Sequence, residues 1–110
     1  MAYDVELADR IRDLVTGRAG VSEKRMFGGI AFLLDGNMAI AASSQGGLLV
    51  CVDPAETDTI LDSTGAEVAV MRGRPMQGWL RVAAADVTTD DRLGEWVDRS
   101  TDYAASLPPK

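Results

Sequence analysis

Lys24 to Met38 constrains the fold of this chain more than any other stretch. Ile30 to Leu34 is a continuous apolar run, Asp35-Gly36 follows, and Asn37 to Ala42 returns with Met38, Ile40 and Ala42 at alternate positions. Asp-Gly between apolar segments signals a hairpin, because the favoured two-residue turn needs positive φ at both central positions. Ser22 to Phe27 has strand character, and Gly28-Gly29 interrupts it before Ile30. Paired glycines between apolar residues mark a bulge, a tight bend or a close backbone approach. An antiparallel sheet is thereby seeded within the first third of the chain.

The flanking segments supply helices and further strands. Leu7, Ala8, Ile11, Leu14 and Val15 form one apolar stripe at helical spacing from Asp4 to Gly17. Asp4 is placed to cap that helix, Gly17 to end it, and Glu6 with Arg10 to pair across one turn. Leu48 to Val52 reads as a strand. Asp53-Pro54-Ala55-Glu56 reads as a helix start, with a capping acid, proline at the first position and a glutamate three residues on. Glu67 to Met71 alternates as a strand, Arg72 to Gly78 reads as a loop, and Trp79 to Val82 is the last strand. Thr88-Thr89-Asp90-Asp91 opens a final helix carrying Leu93, Trp96, Val97, Ser100 and Ala104, which Pro108-Pro109 ends.

The order α-β-β-β-β-α-β-β-α, with hairpins in place of regular βαβ alternation, predicts an α+β two-layer domain over residues 1–110. Its antiparallel sheet carries helices mainly on one face. The central strands are apolar on both sides, so the second face needs partial cover, for which a homodimer is one solution.

Charge and residue content exclude several functions. The net charge is −6, and residues 26–71 hold six acids and no base. Nucleic-acid binders displace counterions with a basic face, so direct nucleic-acid binding by this domain alone is disfavoured. No apolar run reaches the roughly 20 residues of a membrane span, and the acidic start, with the single cysteine, indicates a cytoplasmic protein. There is no histidine, which removes the usual general base and, with one cysteine, the usual zinc sites. Cys51 sits between Val50 and Val52 as a buried, inert thiol. The acids of Asp53, Glu56, Asp58 and Asp62 make a solvated helix face, and Asp90-Asp91 a helix start. Gly73 to Gly78 has the opening spacing of a phosphate loop, but Trp79-Leu80 follows where lysine and a hydroxyl residue are required. No catalytic residues, cofactor or metal are expected, and the protein reads as a non-enzyme.

One constellation remains. Arg25 precedes Gly28-Gly29, Arg72 and Arg74 flank Gly73, and Trp79 and Arg81 follow. If both glycine loops lie at one end of the sheet, the guanidinium groups converge on a carboxylate, a phosphate or an acidic protein surface, with Trp79 as an aromatic anchor. The other reading pairs the arginines with neighbouring acids and places Trp79 in the core.

Lys24-Arg25-Met26-Phe27-Gly28-Gly29-Ile30-Ala31-Phe32 followed by Gly36-Asn37-Met38, and then Gly73-Arg74-Pro75-Met76-Gln77-Gly78-Trp79, resemble the two recurring blocks of the TfoX/Sxy family N-terminal domain. The resemblance implies a two-layer fold similar to type III secretion chaperones. It also implies a protein-interaction module in transcription regulation whose partner belongs to the transcription machinery. Larger family members regulate natural competence together with the cyclic-AMP receptor protein and carry a C-terminal domain. This chain ends at Lys110 without one, so a competence role is not expected of it. A small-ligand or anion-binding module built on the arginine-bearing glycine loops is the alternative.

Overall fold

The computed structural model describes residues 5–26, 29–43, 46–71 and 73–108. Helix α1 spans Val5–Val15, and strands β1 to β4 are Val21–Met26, Gly29–Leu34, Asn37–Ala42 and Leu48–Cys51. A 3-10 turn (Pro54–Glu56) leads into α2 (Thr57–Ser63); then come β5 (Glu67–Met71), β6 (Arg74–Val82), a second 3-10 turn (Ala84–Val87) and α3 (Asp90–Ser106). The six strands form one sheet in the order β1-β2-β3-β4-β6-β5, every neighbouring pair antiparallel. This is the expected α+β class, with β6 inserted between β4 and its own hairpin partner.

The Asp35-Gly36 turn takes the form its residues require. Leu34 pairs with Asn37, and φ is 51° at Asp35 and 85° at Gly36. The extra β3 residue, Ala39, shifts the register between Phe32 and Leu33, so Phe32 and Ile40 both face the helices. The main core lies between that sheet face and the helices: Leu7, Ile11, Phe32, Ile40, Leu48, Val50, Leu80, Leu93, Trp96 and Val97 are buried there. Burial of each such aliphatic or aromatic side chain contributes about 1.5–3 kcal/mol.

Helix details refine the expected spans. Asp4 lies outside the described residues. Helix α1 stops two residues before Gly17. The Thr16 hydroxyl donates to the Arg12 carbonyl at 2.7 Å and the Arg18 amide to that of Val15 at 3.0 Å, which satisfies two terminal acceptors. Leu14 is 41% exposed, at the margin of the stripe. Arg10 does not pair with Glu6; it reaches Asp90 at 3.2 Å and the Thr88 carbonyl at 3.4 Å, tying α1 to the start of α3. The carboxylate of Asp53 accepts from the Ala55 amide at 2.9 Å, and Thr89 caps α3 by accepting from the Arg92 amide.

The largest departure is Arg72 to Gly78. Arg72 lies outside the described residues, Gly73 is a turn, and Arg74 to Gly78 belong to β6. Glycine and proline are weak strand formers, which is why the segment reads as a loop. Strand β4 ends where Cys51 meets Trp79, so beyond that point β6 is paired only with β5, the setting that tolerates Pro75. Between Leu80 and Met76 the strand bulges, because Val68 opposes Leu80 while Ala69 opposes Met76. Gly78 sits in the bulge with φ 85°, and its carbonyl accepts from the Val52 amide at 2.7 Å. The result is a two-stranded arm that overhangs the rest of the sheet.

Arg12 clamps α1 to β1. Its Nε and Nη2 each donate to a Glu23 carboxylate oxygen at 2.8 Å, a further N–H bonds Asp9, and the guanidinium lies 5.9 Å from the Phe32 ring centre. The hydrogen bond from Arg12 holds the Glu23 carboxyl below the usual 4.5, against an opposing effect of burial. A carboxyl depressed on folding stabilises the fold above its unfolded value of about 4.3, and that contribution fades as pH falls through the lower folded value. Both side chains are more than a third exposed, so the contribution is screened to below about 1 kcal/mol. Glu23→Gln is therefore expected to lower Tm slightly at pH 7 and to lose less further stability than the native chain on acidification, measured by thermal melts from pH 7 to 3.

Candidate functional site

The helix-free face of the sheet is the candidate site. Strand alternation places Lys24, Ala31, Ala41, Leu49, Arg81 and Glu67 in one cross-strand row on that face, as the registers Lys24↔Ala31↔Ala41↔Leu49↔Arg81↔Glu67 show. A second apolar cluster occupies its centre: Ala31, Ala41, Leu49 and Ala69 are buried, and Leu33, Met38 and Trp79 pack half-buried against them. The small alanines keep the centre shallow, and the larger side chains stand around it. Met76, across from Ala69, continues the strip onto the arm and is 37% exposed.

Cations rim this strip. Lys24 and Arg74 are exposed and Arg81 is half-buried. Among the described residues none of the three makes an ion pair. All five ion pairs found there involve Arg10, Arg12 or Arg18, with acids of α1, β1 and α3. Arg10, Arg12 and Arg18 are thus paired with acids on the helix side, whereas Lys24, Arg74 and Arg81 keep no ion pair among the described residues. Lys24 and Arg81 lie at the ends of an apolar row four strand spacings long, about 19 Å. An arrangement of this kind can hold a segment that carries acids beside apolar anchors.

The residues named from the sequence divide between the two ends of the sheet. Since every neighbouring pair is antiparallel, the Met26↔Gly29 end of β1 and β2 lies with the start of β4 and the end of β6. The Met71↔Arg74 turn lies at the other end, with Asp35-Gly36. The convergence of the two glycine loops therefore does not occur: Arg25 and Arg74 stand on β1 and β6 at opposite ends. Arg25 is exposed and alternates with Lys24, toward the helix side, and Gly29 is buried at the start of β2. Gly28 and Arg72 lie outside the described residues. Trp79 belongs to the bare face, opposite Cys51, which is half-buried instead of fully buried. Lys24 and Met76 were not singled out from sequence as site residues, and Met38 was expected on one face with Ile40 and Ala42; the extra residue Ala39 instead leaves Ile40 and Ala42 on the helix side and Met38 on the bare face.

A cavity of about 310 Å³ lies elsewhere, between the α2–β5 connection and α3, lined by Ser63, Thr64, Asp86, Arg92, Glu95 and Arg99 among others. Arg99 stacks 4.9 Å from the Trp96 ring centre, and the charges lining the cavity balance. Among the described residues no group of three or more potential metal ligands comes together, and no helix is long and apolar enough to cross a membrane.

Architecture and surface together define a class: a two-layer α+β domain with helices on one side of an antiparallel sheet and a base-rimmed apolar strip on the other. The family model described as the TfoX N-terminal domain matches residues 13–104, and the chain belongs to that family. No curated protein and no solved structure matches it.

Proposed function

We propose that this chain is a non-enzymatic, cytoplasmic protein-contact module that acts in transcription regulation, and that its bare sheet face receives an acidic segment of a transcription protein. The observation that carries the reading is the set of three bases, Lys24, Arg74 and Arg81, with no ion pair among the described residues, around the Leu33-Met38-Trp79-Met76 strip. Aromatic and methionine side chains inside a charged rim resemble the anatomy of interfaces whose energy is concentrated in a few anchors that become desolvated on binding. Membership of the TfoX N-terminal domain family supports the regulatory context. Direct contact with nucleic acid is not part of the proposal, since the net charge is −6.

A photo-reactive residue at position 76, in cells at native expression level, is expected to crosslink to RNA polymerase or a promoter-bound regulator. The double variant Lys24→Glu, Arg81→Glu is expected to weaken that contact by at least about tenfold, roughly 1.4 kcal/mol. Its Tm should stay within about 2 °C, because neither base supports an ion pair among the described residues. Crosslinks to no transcription protein, with transcript levels unchanged on deletion of the gene, would sink the reading.

A further inference from the structure

We propose that a second copy of this chain pairs antiparallel along the outer edge of β5, joining the two sheets into one of twelve strands. The two edges of the sheet differ in kind. Strand β1 is Val-Ser-Glu-Lys-Arg-Met, with exposed Ser22 to Arg25 and with Glu23 turned toward the helix layer, where Arg12 holds it. Consecutive charges and an inward-pointing acid are the means by which natural sheets block edge pairing. Strand β5 is Glu-Val-Ala-Val-Met, with a single charge at its start. Among the described residues, no hydrogen bond reaches its outer backbone from outside the β5–β6 ladder. It also holds Val70, 58% exposed, the most exposed large hydrophobic side chain among the described residues.

The strand is complementary to itself. A two-fold axis perpendicular to the sheet, through Ala69, places Ala69 opposite Ala69 of the second copy and Val68 opposite its Val70. Position 67 then lies opposite position 71. An antiparallel edge related by such an axis keeps both helix layers on the same side, and facing residues keep matching faces. The Val68–Val70 contacts cover the exposed valine on the helix side. Met71 is the register partner of Arg74, so on the bare face Glu67 lies in one row with Arg74 of the second copy. Two strand spacings, about 9.6 Å, separate their backbones, which long side chains can bridge. Glu67 and Arg74 are both exposed and have no ion pair among the described residues. Strand addition of this kind takes its affinity from main-chain hydrogen bonds and its register from such side-chain pairs.

The inference goes beyond the partner reading and shares only Arg74 with it: a dimer that captures no transcription protein would keep the one and remove the other. The test is sedimentation equilibrium over a concentration series. The native chain is expected at twice its 11.7 kDa mass. Val70→Lys is expected to raise the dimer dissociation constant by at least tenfold with an unchanged circular dichroism spectrum, the side chain being exposed. Lys24→Glu on β1 should leave the dimer intact. Glu67→Arg and Arg74→Glu should each weaken it, and the two together should restore it. A native chain that stays monomeric at its highest soluble concentration overturns the proposal. A dimer that survives Val70→Lys, or one lost in Lys24→Glu, places the contact elsewhere and also overturns it. If the double charge exchange gives no rescue, the register through Ala69 is wrong.

Discussion

Phe32→Ala is expected to lower the unfolding free energy by about 3–5 kcal/mol, the range for removing a buried aromatic ring. Phe32 is 1% exposed at the centre of the main core, opposite Glu23 on one side and Ile40 on the other. It also lies 5.9 Å beneath the Arg12 guanidinium. Truncation leaves a cavity that the surrounding strands and helices cannot fill, and it removes the platform that orients the Arg12–Glu23 clamp. Domains of this size are stable by only about 5–15 kcal/mol, so the variant should lose a large share of its margin. Urea unfolding followed by tryptophan fluorescence measures the change. A loss below about 1.5 kcal/mol would show that the β1–β2–α1 packing is not as drawn.

Gly47→Ala should destabilise by about 3 kcal/mol, from backbone strain and a steric overlap together. Gly47 has φ 72°, and a methyl group there would overlap the Val82 carbonyl oxygen and lie 3.1 Å from the Ala84 amide nitrogen. The glycine lets the backbone at position 47 lie directly on the end of β6, where the Gly47 carbonyl accepts from the Ser43 amide at 3.0 Å and Leu48 begins to pair with Val82. Gly46→Ala is the control. Gly46 has φ 87° but nothing within 4 Å of the added atom, so only the left-handed strain remains, about 1 kcal/mol. Equal effects at the two positions would mean that the close approach of Gly47 to β6 is absent. Since β6 carries Trp79 and Arg81 on the bare face, loosening that contact should also weaken the proposed partner contact, whereas Gly46→Ala should not.

Where signals were local, they were readable before the structure. The Asp35-Gly36 turn, the cap at Asp53, the helix start at Thr88-Thr89-Asp90-Asp91, the α1 stripe and the core residues of α3 all rest on interactions within a few residues, which side-chain chemistry specifies directly. The apolar character of both faces of the central strands also pointed to a second cluster, now seen as Ala31, Ala41, Leu49 and Ala69. Reading failed where long-range pairing overrides propensity. Arg74 to Gly78 contains proline and glycine, yet it extends because β5 pairs along it and β4 stops at Cys51. Arg10 leaves its helical neighbour Glu6 for Asp90, because docking of α3 brings an acid from 80 residues away.

By itself the sequence determined the class of fold, the element order and the family blocks, since periodicity, turn chemistry and capping act over short spans of chain. It did not determine which loops become neighbours. Insertion of β6 between β4 and β5 sends the two glycine loops to opposite ends of the sheet. It also aligns Lys24, Leu49 and Arg81 in one row and leaves β5 as an edge. Strand order is a tertiary choice, made by pairing between segments far apart in the chain, which no local signal encodes. The surface that follows from it exists only in the folded chain.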